Sequence, residues 1–260
     1  MSILEEILSY KKQNVINDVL IDETKVFNTL SLKDALSKEG MSLIAEIKMK
    51  SPSEGVILKN ADPVQIAKDY ESAGADAISV LTDQKYFGGN IDILSSVKDS
   101  VSIPVILKDF VINHSQIYQG ANAGADAFLL ITEALNSTQL ENFIGIAKKI
   151  NLDVLVELHS EQNTKIIRDL CPSIVGVNCR DLATMNTNIN YFQKMFDKLP
   201  KKSVKVAESG IRKSDHLKFI GDIGYDAALV GTSLMKTGNP GKALEKLKKG
   251  SLWFLLKYVE

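Results

Sequence analysis

Cysteine, histidine, surplus charge and long hydrophobic runs are scarce or missing here, and each absence removes a class of function. Cys171 and Cys179 are the only cysteines, and neither belongs to a metal-binding or redox spacing. His114, His159 and His216 show no metal-ligand spacing and are expected at the surface or as caps. The formal net charge of -1 leaves no overall basic field to draw nucleic acid or an anionic membrane. The late apolar run 252–259 is interrupted by Lys257 and falls far short of the roughly 20 residues that cross a bilayer. It is expected as a terminal helix packed on the body through Trp253. Residues 1–12 are amphipathic and charged rather than a signal peptide, so a cytoplasmic location is expected. No linker or low-complexity stretch divides the chain, and no G-x-G-x-x-G follows the first apolar run.

What remains is ordinary globular composition, 45% hydrophobic and 24% charged, in a chain long enough to bury a large core as one domain, 1–260. Helix-like spacing of apolar residues marks 3–20, within an N-terminal helical extension of about 40 residues, and a shorter helix is expected at 31–39. A repeated grammar of apolar strand, loop, amphipathic helix and turn follows. Strands are predicted at 43–48, 77–81, 105–108, 127–132, 154–158, 174–179, 204–208 and 227–231. Helices lie between them, as at 63–73, 138–150 and 162–170, with Pro63 suited to a first helical turn. Ala73-Gly-Ala-Asp-Ala77 recurs as Ala123-Gly-Ala-Asp-Ala127 and loosely as Ile223-Gly-Tyr-Asp-Ala227; in each, glycine can end a helix in the left-handed conformation. Roughly eight strand–helix units in one chain of this length predict an α/β protein, a (β/α)8 TIM barrel with an additional N-terminal helix. A helical tail is expected at about 250–260.

In such a barrel the chemistry belongs at the C-terminal strand ends, and here those ends are polar. Strand one carries Glu46 and Lys48 on one face, a costly pair to desolvate unless something uses it. Lys108 ends strand three, Glu157 lies on strand five, Asn178 and Arg180 share a face of strand six, and Glu208 ends strand seven. His159 has the parity of Glu157, which opens the same rim to it. Asp109 alternates away from Lys108 and is expected as a cap or salt-bridge partner. Singly, each charge at a strand end is explained by its side chain reaching water; together they are either an ion-pair ring or a catalytic rim. Ser209-Gly210 and Gly231-Thr232-Ser233 place small residues and free N–H groups after strands seven and eight, where barrels commonly hold phosphate. Ser51 adds a hydroxyl from the opposite side. Leu81, Phe87, Phe110, Leu129 and Leu182 are core residues or the wall of an aromatic subsite.

Seven stretches in order carry a family resemblance: Ile44-Ala-Glu-Ile-Lys48 with Ser51-Pro-Ser53, Lys85-Tyr-Phe-Gly-Gly89, Pro104-Val-Ile-Leu-Lys-Asp-Phe110, Leu155-Val-Glu-Leu158, Gly176-Val-Asn-Cys-Arg-Asp-Leu182, Val206-Ala-Glu-Ser-Gly210 and Val230-Gly-Thr-Ser-Leu-Met235. Over about residues 3–248 the sequence resembles the indole-3-glycerol phosphate synthases. The resemblance implies ring closure, decarboxylation and dehydration of 1-(2-carboxyphenylamino)-1-deoxyribulose 5-phosphate, a carboxy-lyase reaction of tryptophan biosynthesis. It implies Lys108 as the acid at the ketone, Glu157 and Lys48 as the acid–base pair of dehydration, and Glu46, Asn178 and Glu208 as orienting groups. Arg180 and Ser209 would meet the substrate, with Arg180 steering its carboxylate or bracing the rim. Leu81, Phe87, Phe110, Leu129 and Leu182 would hold the ring, and Ser51, Gly210, Gly231 and Thr232 the phosphate. The roles of Lys48 and Lys108 stay interchangeable at this level. No metal and no organic cofactor is implied. The implied partner is a small phosphorylated aromatic substrate, taken by a monomer in weak association with other tryptophan-pathway enzymes.

Two features depart from the family pattern. Met49 stands where a basic residue is frequent, with a parity that points it away from the pocket, and the tail 251–260 runs past the usual ending. A Schiff-base aldolase using Lys48 or Lys108, a phosphosugar isomerase and a non-catalytic phosphate-binding barrel are the competing readings.

Overall fold

Eight strands close into a ring of parallel pairs in the computed structural model, which describes residues 2–14, 21–22, 24–59, 61–182 and 184–255, with side chains as far as 250. They are β1 (Ser42–Ile47), β2 (Ala77–Leu81), β3 (Val105–Lys108), β4 (Ala127–Ile131), β5 (Asp153–Leu158), β6 (Ile174–Asn178), β7 (Val204–Glu208) and β8 (Ala227–Val230). Each pairs with its chain neighbours, and β1 closes the ring by pairing with both β2 and β8. Strands covered on both faces need apolar residues at nearly every position, which is why these segments read as unbroken apolar runs rather than as alternations. Alternate residues still go opposite ways. Ile44, Ile106, Leu129, Leu155, Val206 and Leu229 fill the barrel interior, whereas Leu43, Val80, Leu107, Leu130, Val156 and Val177 join the larger core beneath the helices.

The recurrent Gly-Ala-Asp segment is a staple at the N-terminal ends of the strands. Gly74, Gly124 and Gly224 take φ of 85°, 91° and 111°, ending their helices in the left-handed region. The aspartate two residues later then grips the neighbouring strand by both its backbone and its side chain. Asp76 accepts from Leu43 N at 2.9 Å, Asp126 from Val105 N at 2.8 Å and Asp226 from Lys205 N at 2.7 Å. The N–H of each aspartate returns a bond to the carbonyl of the same residue. Asp126 also accepts from Leu30 N and from Lys98 Nζ, at 2.8 and 2.6 Å.

The N-terminal part reaches both ends of the barrel. Helix Leu32–Leu36, capped by Ser31, puts Leu32 and Leu36 into the interior cluster and so plugs the floor. Helix Ile3–Asn14 lies at the other end, where Lys11 Nζ sits 3.1 Å from Asp83 and 2.5 Å from Asp109. Positions 15–20 of the predicted N-terminal helix lie outside the described residues. Helix Pro240–Leu255 covers the start of the tail; 256–260, and the packing expected of Trp253, also lie outside them. Among the described residues no helix is long and apolar enough to cross a membrane.

Candidate active site

The interior alternation that places apolar residues at the barrel's waist puts Glu46, Lys48, Lys108, Glu157, Asn178 and Glu208 at its mouth. Lys48 Nζ lies 2.5 Å from Glu46 Oε1. Lys108 Nζ lies 3.3 Å from Glu157 Oε2 and 3.7 Å from Glu208 Oε2, and the two glutamate side chains are only 2% and 1% exposed. Burial would push the Lys108 ammonium down, but carboxyl charge around it, that of Glu157 first, outweighs it and holds the amine above its ordinary 10.5. Burial also pushes Glu157 up, and there Lys108 and His159 win, bringing the carboxyl down to about 2. Glu208 goes the other way: burial and the charge of Glu157 raise it well above 4.5, which favours its neutral form. Two adjacent carboxyls pushed in opposite directions suit the site to hold both a base and a hydrogen-bond donor.

Glycine makes room for this chemistry. A Cβ on Gly176 would stand 2.1 Å from Glu208 Oε1, and one on Gly231 would stand 2.3 Å from Glu46 Oε1. Ser79 Oγ and both Glu208 oxygens are buried without a hydrogen-bond partner among the described residues. Of these two residues only Glu208 lines the open cavity, and an orphaned polar group there marks a place where a ligand completes the bonding.

Above the charged floor the mouth divides into two halves. Leu81, Phe87, Phe110 and Leu129, on or just past β2 to β4, line an apolar half in which the Phe87 and Phe110 rings lie 6.1 Å apart, and Leu182 lines the cavity from the loop after β6. The opposite half is built from Ser51, Ser209, Gly210, Gly231 and Thr232. Ser209 and Gly210 both adopt φ of 71°, a costly conformation for serine of the kind that clusters at ligand sites. Thr232–Met235 forms a single helical turn starting at Gly231, with its first N–H groups free of helical bonds. A short hairpin, Lys50–Ser51 against Gly55–Val56, carries Ser51 to this rim, and Lys236 Nζ at 2.6 Å from Glu54 ties the hairpin to the last loop. Arg180 braces its own loop, with its guanidinium donating to Met185 O at 2.9 Å and its N–H to Asn178 Oδ1 at 3.0 Å.

Every site residue named from the sequence thus lines one cavity of about 360 Å³. Met49 is not among its walls and packs against the helix-side core. Asp109 pairs with Lys11 and accepts from Thr82 Oγ1 at 2.7 Å. Sequence reasoning missed Ile3, Leu4 and Ile7, which the N-terminal helix lays over the cavity. Their periodicity announced an apolar face without saying what it covers. The Glu54–Lys236 tie was missed as well, since no spacing signals a pair 182 residues apart. His159, expected at a surface or cap or, by its parity with Glu157, on the rim, lines the cavity with its side chain 9% exposed.

Comparison with known proteins places this geometry. The family model described as indole-3-glycerol phosphate synthase matches residues 3–247. An indole-3-glycerol phosphate synthase of Priestia megaterium is 43% identical over 247 residues, covering 94% of this chain and 96% of that protein. One from Leptospira interrogans is 42% identical over 241 residues, covering 93% and 95%. Among solved structures, 3-hexulose-6-phosphate synthase from Salmonella typhimurium superposes with a TM-score of 0.66 at 16% identity, over 82% of this chain and 99% of that one. Orotidine 5'-phosphate decarboxylase from Pyrococcus horikoshii gives 0.61 at 13%, over 81% and 99%. At such identities these two speak to the barrel alone.

Proposed function

The chain belongs to the indole-3-glycerol phosphate synthase family, and from that premise we propose how its barrel mouth divides the work of the reaction. The activity is a carboxy-lyase step of tryptophan biosynthesis. The carboxyphenylamino-deoxyribulose phosphate closes its pyrrole ring, loses CO2 and then loses water. The aromatic ring lies against Leu81, Phe87, Phe110, Leu129 and Leu182, where apolar burial holds it without directing it. The phosphate meets Ser51, Gly210, Gly231 and Thr232 at the first N–H groups of the turn Thr232–Met235. Ser209 lies beside that rim, and Arg180 keeps the loop after β6 in shape while facing the substrate's carboxylate.

Lys108 serves ring closure. An ammonium held above 10.5 is a weak acid toward a ketone, yet it is well matched to the alkoxide that grows as the ring carbon attacks. Its charge is fixed where that oxygen develops, so little reorganisation is needed. Decarboxylation restores the aromatic ring. Dehydration then needs an acid at the departing hydroxyl and a base at the nitrogen side; Lys48, held by Glu46, supplies the first and Glu157 the second. Glu46, Asn178 and Glu208 orient the substrate hydroxyls. The same reading takes residues 1–260 as one barrel domain, monomeric and cytoplasmic, in weak association with other enzymes of the pathway. It asks for no metal and no organic cofactor, because side chains supply each proton transfer.

The observation that carries this reading is Lys108 between Glu157 and Glu208, 3.3 and 3.7 Å away, on the floor of a cavity walled by apolar side chains and by Ser51, Gly210, Gly231 and Thr232. It also weighs against a Schiff-base aldolase, since a buried amine kept protonated beside the Glu157 carboxylate is a poor nucleophile. The test is indole fluorescence after addition of the carboxyphenylamino-deoxyribulose phosphate. Wild type gives a rise, and Lys108→Ala loses about 10²–10⁴-fold in kcat, the usual worth of a positioned acid. A full rise in the variant moves the essential acid to Lys48; no rise in folded wild type sinks the reading.

A further inference from the structure

His159 lies just past β5 and takes no part in the mechanism above, yet each of its ring nitrogens faces a carboxylate. Nε2 is 3.3 Å from Glu157 Oε1, and Nδ1 is 3.3 Å from Glu133 Oε2. Glu133 is itself fixed. Its Oε1 accepts from His159 N and Ser160 N, each at 2.9 Å, and from Asn163 Nδ2 at 2.8 Å, while its Oε2 accepts from Thr132 Oγ1 at 2.9 Å. Tyr191 OH donates to the carbonyl of His159 at 2.8 Å, so the backbone beneath the ring is held too. The two oxygens of Glu157 are therefore divided, Oε2 toward Lys108 and Oε1 toward His159.

We propose that His159 is a positioning residue, held by Glu133, that fixes the rotation of the Glu157 carboxylate for proton transfer. The proposal rests on the reaction assigned above. A carboxylate gripped by Lys108 alone can turn about its last torsion, which is broad and two-fold. A second contact on the other oxygen stops that turn and leaves the base aimed at the cavity. The titratable groups that face Glu157 are Lys108 on β3, Glu208 on β7 and His159 beyond its own strand, with Glu133 behind the imidazole, while Glu46 on β1 acts on Lys108 and Glu208. Of these, Lys108 and His159 favour the ionised form of Glu157.

The experiment compares wild type, His159→Ala, His159→Gln and Glu133→Gln by indole fluorescence across pH, with the Glu157 carboxyl titration of the free enzyme followed by NMR. In His159→Ala kcat falls by about 10–100-fold, as expected when a reacting group loses its aim, while KM changes by less than about threefold because ground-state binding is untouched. The acid limb of kcat and the Glu157 titration both move to higher pH. His159→Gln, whose amide can donate to Oε1, recovers most of the loss, and Glu133→Gln falls between. An unchanged kcat and acid limb in folded His159→Ala overturns the proposal, and so does a glutamine variant no better than alanine. If alanine at 159 does not fold, the comparison of His159→Gln with Glu133→Gln decides by the same limb. If wild type makes no product, the assigned reaction fails, and the NMR titration still judges the coupling of His159 to Glu157.

Discussion

A carboxylate in a barrel interior needs space before it needs a partner, and here the space is made by leaving out a side chain. Gly176 on β6 takes part in two register pairs, with Glu157 on one side and Val206 on the other, so its missing Cβ opens the centre of the polar floor. Gly176→Ala would force the Glu208 carboxyl, 2.1 Å from the added carbon, away from Lys108. Displacing the group by about 1 Å is expected to lower kcat roughly 100-fold, with a stability cost of only about 1–3 kcal/mol from overpacking. Steady-state kinetics beside thermal unfolding separates the two effects; a loss of stability with kcat intact would show that Glu208 reaches its position without that space. Glu46, Lys108, Glu157 and Glu208 were visible in the sequence because a charge within an apolar strand is conspicuous. The opposite pKa shifts of Glu157 and Glu208 were not, since they depend on which groups end up within about 4 Å of one another.

Strands and their staples set how much the barrel tolerates. The strands were legible because burial on both faces demands apolar runs, and each run is bounded by turn residues or charge. The hairpin Lys50–Ser51 with Gly55–Val56 was not, because two-residue strands are too short for any period to register. The Gly-Ala-Asp echo was readable as a helix ending, while the grip of its aspartate on the previous strand required the parallel register. Asp126 is the most engaged of the three, joining Val105, Leu30 and Lys98. Asp126→Ala strands Lys98 and two N–H groups, for an expected loss of about 3 kcal/mol, near the lower end for breaking a partly buried pair. Asp76→Ala, whose partner Lys38 is 60% exposed, costs less. Urea unfolding of the two variants checks the order; equal losses would mean that the staple acts through the backbone alone.

At the scale of the whole molecule, the site is maintained against stability. Glu208 is an acid whose folded pKa lies above its unfolded value near 4.5, so the folded state binds the extra proton. Its contribution is therefore neutral below about 4.5 and grows unfavourable as pH rises toward the folded pKa. Glu157, lowered to about 2, has the opposite sign: its stabilisation is present above 4.5 and is lost as pH falls toward 2. Glu208→Gln removes the unfavourable member. Its Tm at pH 7.5 is expected to rise above that of wild type, by about 2–4 °C for each kcal/mol recovered, with little difference at pH 4.5 and with product formation reduced. Thermal scans at both pH values decide it, and a difference that does not depend on pH would refute a raised pKa at Glu208. The sequence by itself determined the strand–helix alternation, the polar strand ends and the family, because these rest on local periodicity and on residue types at fixed offsets. Only the tertiary structure decided that helix Ile3–Asn14 roofs the cavity, that Glu54 reaches Lys236 and that His159 stands between Glu133 and Glu157. Contacts between residues far apart in the chain exist only once the ring of strands has closed, and no local pattern encodes which loops that closure brings together.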